Sequence, residues 1–262
     1  METNTDGGGP LILITNDDGI DAHGIRVLTS SLNGLGTRYV VAPREEQSGV
    51  SHAITIRQPV RIVQRDGGVF GEGVEAYAVT GTPADCVKMA IDHILPRKPD
   101  LVVSGINQGP NAAVNILYSG TVSAALEASV MGLDAIAFSL NAWTGGDFES
   151  AGAYARRIVE TALQRKLPSG VLLNVNVPNL PYNEIKGIAI TAQAKSRWED
   201  SFVEHRDPFD RPYYWIAGNF VNLDTGDHTD LAALEAGYVS VTPVHSDLTA
   251  YEFVDHLKGW GM

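Results

Sequence analysis

Two adjacent carboxylates, Asp17 and Asp18, stand between Asn16 and Gly19, directly after an apolar run at residues 11–15. Farther along the chain lie a hydroxyl, Ser48, and a side-chain amide, Asn107. These four groups offer only oxygen, the donor set preferred by a hard cation such as Mg²⁺, Mn²⁺ or Ca²⁺. No Cys/His array competes for zinc. Tyr118-Ser119-Gly120-Thr121 opens a helical stretch, where backbone N–H groups, hydroxyls and a glycine that permits close approach can cradle a phosphate. Each feature also has a plain reading: an Asp-Asp-Gly turn, a solvated loop serine, a Ser/Thr helix cap. His23 and His52 lie near these residues in sequence and read either as general acids or phosphate ligands, or as surface histidines. Glu127 reads as a buried carboxylate bonding loop backbone, a support and not a catalyst, and Lys88 as a side chain on a solvated helix face. Neither the P-loop pattern nor G-x-G-x-x-G is present, so ATP or dinucleotide binding by those routes is not supported.

Residues so far apart in sequence meet only if the elements between them bring them together. The run at 11–15 has the continuous apolar character of a strand buried on both faces. Helical periodicity follows over about residues 22–32, then a strand at 38–42 broken by Pro43, and such a β-α-β opening implies a parallel pair with a right-handed crossover. Short β-like runs at 53–56, 60–63 and 76–79 suggest antiparallel hairpins inserted into the sheet. A helix is expected from Pro83, capped by Thr82, to about Leu95. Strands at 101–104, 135–140 and 170–177 alternate with helices at 121–131 and 151–163. The pattern predicts a doubly wound, mostly parallel α/β sheet. In that architecture ligands sit outside the carboxyl ends of the strands, so Asp17, Asp18, Ser48 and Asn107 should share one crevice edge. Beyond about residue 184 the rhythm changes, with strand-like pieces at 187–192, 213–217 and 238–241 and a short helix at 227–236. The chain thus divides into a polar, glycine-rich leader at 1–10, expected to be disordered, a core at 11–184 and an extension at 185–262.

Composition limits the partners. With 31 acidic against 19 basic residues and a formal charge of −12, a long nucleic acid is repelled. A small phosphorylated molecule is still accessible, because a bound divalent cation reverses the local field around a carboxylate cluster. No apolar run is long enough for a membrane span, no secretory signal opens the chain, and the lone Cys86 fits a reducing compartment. A cytoplasmic protein is expected.

Five motifs in order and spacing resemble the SurE, or survival protein E, family of 5′/3′-nucleotidases: Asn16-Asp17-Asp18-Gly19, Ala42-Pro43 followed by Ser48-Gly49, Thr80-Gly81-Thr82-Pro83-Ala84-Asp85-Cys86-Val87, Ser104-Gly105-Ile106-Asn107-Gln108-Gly109 with Asn111, and Tyr118-Ser119-Gly120-Thr121-Val122. The resemblance is densest over residues 11–140 and continues more sparsely in Leu173-Asn174-Val175-Asn176-Val177-Pro178 and Val241-Thr242-Pro243. It implies a Rossmann-like fold and hydrolysis of nucleoside 5′- or 3′-monophosphates, with short-chain exopolyphosphatase activity in some members. It also implies one divalent cation per subunit at Asp17, Asp18, Ser48 and Asn107; around such a cation Asp17 or Asp18 is expected to be catalytic, orienting or deprotonating an attacking water, with direct attack of Asp17 on phosphorus as the competing route. The phosphate would lie against Asn107, Ser119, Gly120 and Thr121, supported by Asn16 and Asn111. Family members form homodimers, often paired into homotetramers, by exchanging C-terminal segments. Gln47 stands where arginine is frequent, His23 where proline is common, and Ser123 and Ala128 where glycines are common; these touch substrate preference and the phosphate helix and leave the metal set intact. Two rival readings use the same crevice: a non-catalytic metal-dependent nucleotide sensor, and a nucleotide-sugar transferase, which no Asp-x-Asp after a strand supports.

Overall fold

The computed structural model describes residues 9–261. The expected leader therefore lies outside the described residues as far as residue 8, while the Pro10 carbonyl already accepts a hydrogen bond from Thr37 N–H at 2.8 Å. Strand β1 (Leu11–Thr15) is buried along its whole length. Its side chains alternate, Ile12 and Ile14 joining one hydrophobic cluster and Leu11 and Leu13 another, as the two-residue period of a strand covered on both faces requires.

Helix α1 (His23–Ser31) packs Ile25 and Leu28 into the first cluster, and β2 (Thr37–Pro43) pairs parallel to β1. Next come β3 (Ile62–Arg65) and β4 (Val74–Val79), the latter parallel to β2 and antiparallel to β3. Only one hairpin-like antiparallel pair therefore forms where several were expected, and residues 53–56 run as a loop. That loop is held by side chains instead of a ladder: Thr82 Oγ1 donates to Ala53 O, and Thr55 N–H and Oγ1 donate to Asp85.

Helix α2 (Pro83–Met89) begins with a Thr82/Asp85 capping box and a proline in its first turn, satisfying amide groups that a helix start leaves unpaired. Strand β5 (Leu101–Gln108) lies parallel to β1 and runs farther than the apolar stretch suggested. Its register against β6 (Ala135–Asn141) shifts between Ser104 and Asn107. Gly105 there has φ +126° and comes so near the sheet that a Cβ would fall 2.3 Å from Phe138 O. Only glycine fits, and beyond the irregularity Asn107 lies at the strand end opposite Ser139. Helix α3 (Gly120–Val130), α4 (Phe148–Gln164) and β7 (Val171–Pro178) complete the wound core. α1 and α4 cover one face, and α2 and α3 the other. Burying each large aliphatic side chain stabilises by roughly 1.5–3 kcal/mol.

The chain after residue 184 rejoins this sheet. β8 (Ile188–Ile190) and β11 (Val239–His245) form its far edge, giving the order β3-β4-β2-β1-β5-β6-β7-β11-β8. Between them β9 (Ser196–Arg206) and β10 (Pro212–Asn222) make a long separate hairpin, followed by α5 (Asp230–Glu235). A terminal helix, α6 (Tyr251–Lys258), has no buried residue. The fold is a mixed, mostly parallel α/β sheet of Rossmann-like type, in which the order reverses beside β1: the chain passes first to β2 on one side and later to β5 on the other. No helix among the described residues is long and apolar enough to cross a membrane.

Candidate active site

At the carboxyl ends of β1, β2 and β5, where a wound sheet opens a crevice beside its switch strand, the structure gathers residues from four stretches of sequence. A cavity of about 220 Å³ is lined by Asp17, Ser48, Asn107, Asn111 and Ser119. A second, of about 400 Å³, is lined by Asp18, His23, Glu46 and Ser48 among others. The two share Ser48, Gln108 and Trp143, so they adjoin.

Asp17 is buried, at 3% exposure, and accepts the Thr121 hydroxyl. Gly120 makes this possible, since a Cβ there would lie 2.7 Å from Asp17 Cβ. Burial raises the Asp17 pKa, offset in part by the Thr121 hydroxyl and by backbone N–H groups including those of Thr121 and Gly120. Asp18 is more open, and Gln108 N–H donates to it at 3.4 Å. Its pKa is pushed up to about 7, first by burial, then by the negative charge of Asp17 and, more weakly, of Glu46. Ser48 Oγ donates to Glu46 at 2.6 Å, leaving its lone pairs for another partner. Asn107 donates through Nδ2 to Gly109 O, and its amide oxygen accepts no hydrogen bond among the described residues.

These donors fit a hard cation. Crowded carboxylates with raised pKa values lack a compensating charge, and among the described residues no lysine or arginine lines either cavity. A hydroxyl oxygen and an amide oxygen remain uncommitted beside them. Among the described residues no three His, Cys, Asp or Glu side chains form a metal-holding group; the set here has two such residues and draws its other oxygens from serine and asparagine.

The helix start is differently engaged than its sequence suggests. Ser119 Oγ caps α3 by accepting Val122 N–H at 3.0 Å, which leaves its O–H to donate into the cavity. The Thr121 hydroxyl is spent on Asp17, and the Gly120 and Thr121 N–H groups are directed at the same carboxylate, so the cradle expected at Gly120 and Thr121 is taken by Asp17 and Ser119 is what the helix start offers a phosphate. Asn16 is buried and holds the turn through Nδ2 to Gly19 O. Asn111 ties the loop after β5 to β6 and β7: its Nδ2 donates to Ser139, its N–H to Asn176, and its carbonyl accepts from Asn174.

His23 lines the larger cavity and packs edge-on against Phe148 at 5.1 Å. His52 does not reach the site. It pairs with Glu127 at 2.8 Å, and Lys88 also bonds Glu127. Glu127 therefore grips side chains and not loop backbone, and Lys88 has a partner. Sequence reasoning missed Glu46, Gln108, Trp143 and Asp230. Glu46 carried the signal of its distance from Ser48, two residues away. Asp230, fully buried, accepts Ala113 N–H at 2.8 Å and Ala194 N–H at 3.0 Å, joining the C-terminal segment to the loop that leads to Ser119; no local pattern marks such a long-range bond.

Fold and site together define a wound α/β protein with an acidic, oxygen-lined crevice facing a helix start. The family model described as Survival protein SurE matches residues 12–200, and the chain belongs to that family. It is 46% identical over 255 residues to the protein named 5′-nucleotidase SurE of Chlorobium limicola, with 97% of each chain covered. It is 49% identical over 257 residues to the like-named protein of Christiangramia forsetii, again covering 97% of each. The crystal structure of the SurE protein from Aquifex aeolicus superimposes with a TM-score of 0.83 at 40% identity, covering 97% of this chain and 100% of that one.

Proposed function

We propose that this chain is a hydrolase that cleaves the phosphate monoester of nucleoside 5′-monophosphates, releasing nucleoside and phosphate. The observation that carries this reading is the pair Asp17 and Asp18, crowded at the switch strand with no basic partner among the described residues and facing the start of α3. The 5′-nucleotidase names of full-length relatives support the reaction class. The proposal extends to 3′-monophosphates and short polyphosphates, whose terminal phosphoryl group presents the same oxygens.

Asp17, Asp18, Ser48 and Asn107 would hold one Mg²⁺, Mn²⁺ or Ca²⁺ per subunit. When bound, the cation supplies positive charge against the phosphoryl oxygens. The chain supplies the remaining work. Ser119 O–H, free of the cap bond that its oxygen accepts, binds a phosphoryl oxygen. Asn107 orients its amide at the cavity wall. Asp18, on the open side, orients the attacking water and takes its proton. Asp17, buried and fixed by Thr121, is poorly placed to attack phosphorus itself. Trapping of an aspartyl-phosphate at Asp17 would reverse that assignment.

The hairpin β9–β10, helix α6 and the turn after it expose Phe202, Trp215, Ile216, Phe253 and Trp260. We assign these surfaces to homodimer or homotetramer contacts of the segment 185–262, and propose a cytoplasmic location, in keeping with the lone Cys86. Inorganic phosphate release from a panel of mononucleotides, with Mg²⁺ or Mn²⁺ and with a chelator, tests the function. Steady cation-dependent turnover is expected; nucleotide binding without turnover would favour the sensor reading.

A further inference from the structure

Trp143 follows β6 in a tight loop, and the residue is 67% exposed although it stands at the mouth of the crevice. Its backbone is fixed. Gln108 Nε2 donates to Trp143 O at 3.3 Å and Ala142 N–H to Leu140 O at 2.7 Å. Gly146 turns the loop so closely that a Cβ there would lie 2.7 Å from Leu140 Cδ2. One part of the indole rests on Gly109, where a Cβ would meet its six-membered ring at 3.4 Å. A large apolar ring is thus held over water with no protein covering its outer side.

The position gives the ring a use. Trp143 borders both the smaller cavity, which holds Asn107 and Ser119, and the larger one, which holds Asp18 and the edge-on pair His23 and Phe148. A phosphoryl group in the smaller cavity would extend its organic part across Trp143 into the larger, whose volume of about 400 Å³ falls within the range of small-molecule sites. The other aromatic cavity nearby, lined by Tyr118 and Trp198, shares only Tyr118 with the phosphate side. There the Trp198 indole N–H is committed to Asn115 and its ring packs edge-on against Phe220.

We propose that Trp143 is the stacking platform for the nucleobase and that the larger cavity receives the nucleoside. Trp143 is then the residue that makes the enzyme prefer nucleotides over other phosphate monoesters. The proposal rests on the nucleotidase reading. An exposed indole stacks any base through its π-face, and removing such a platform weakens binding by roughly fivefold to a hundredfold per base.

The test compares kcat/KM for adenosine 5′-monophosphate with that for ribose 5-phosphate, which carries the same phosphate without a base. In Trp143→Ala the ratio is expected to fall about tenfold or more, chiefly through KM for the nucleotide. Trp143→Phe keeps an aromatic face and should retain most of the preference. Because the chain has four tryptophans, a second reading comes by difference: adenosine should quench the fluorescence of the parent protein and not that of Trp143→Ala. An unchanged ratio in Trp143→Ala, or a loss of preference in Trp198→Ala instead, would overturn the platform while leaving the nucleotidase standing. Failure of the parent protein to hydrolyse adenosine 5′-monophosphate at all would overturn both.

Discussion

Asp17 and Asp18 are neighbours in sequence and opposites in environment. One is enclosed and bonded to Thr121, the other borders an open cavity with its pKa near 7. Without a cation their proximity is a cost to folding, and its pH dependence has a definite sign. The folded chain holds the Asp18 proton more tightly than the unfolded chain, so this carboxyl lowers stability as pH rises from 3.8 towards about 7, and the loss is complete above. In the metal-free protein, Asp18→Asn should therefore melt above the parent at about pH 8, with the gap closing towards about pH 4. Thermal melts across that range check it, and a gap that widens towards acid would contradict the sign. Asp17→Asn and Asp18→Asn should each abolish phosphate release while circular dichroism shows a retained fold. Full turnover in either variant would remove the assigned role. These residues were legible because two adjacent carboxylates after a buried strand are an unusual combination. Glu46 and Trp143 were not, since single polar and aromatic loop residues acquire meaning only when the sheet places them together.

Helix α3 shows how an element sets a site through one missing atom. Gly120→Ala would ordinarily favour a helix, but its Cβ would lie 2.7 Å from Asp17 Cβ. Overpacking of this kind costs about 1–3 kcal/mol, so a lower urea midpoint and a loss of hydrolysis are expected together. The loop carrying Ser48 depends on α3 and α2, since His52 is bonded to Glu127 of α3 and Thr55 to Asp85 of α2. Glu127→Ala leaves Lys88 and His52 without their acceptor and should cost about 1–3 kcal/mol. Limited proteolysis should then cut within residues 44–61 faster than in the parent; unchanged cleavage would mean that Glu127 does not hold the loop. The core strands and helices were readable from apolar runs, periodicity and caps. β9 was not, because Ser196–Arg206 is exposed along most of its length and lacks the alternation a half-buried strand carries. The loop at 53–56 misled for the converse reason: β-like residues there are held by side-chain bonds and not by a ladder.

Across the whole molecule the C-terminal segment has two relations to the sheet. β8 and β11 close its edge, and Asp230 and the start of β9, through Ser196 and Trp198, reach back to the loop before Ser119, whereas the rest of β9, β10 and α6 stand away with apolar residues uncovered. Light scattering is expected to give a dimer or tetramer for the parent chain and a smaller species when Phe202 and Ile216 are both replaced by glutamate. An unchanged mass would locate the contact elsewhere. Anomalous scattering from a crystal grown with Mn²⁺ tests most directly whether one hard cation binds at the rim of the sheet. One peak per subunit is expected, with Asp17, Asp18, Ser48 and Asn107 oxygens within about 2.0–2.6 Å, the span of hard-cation bonds. A peak held by other residues, or none at saturating Mn²⁺, would contradict it.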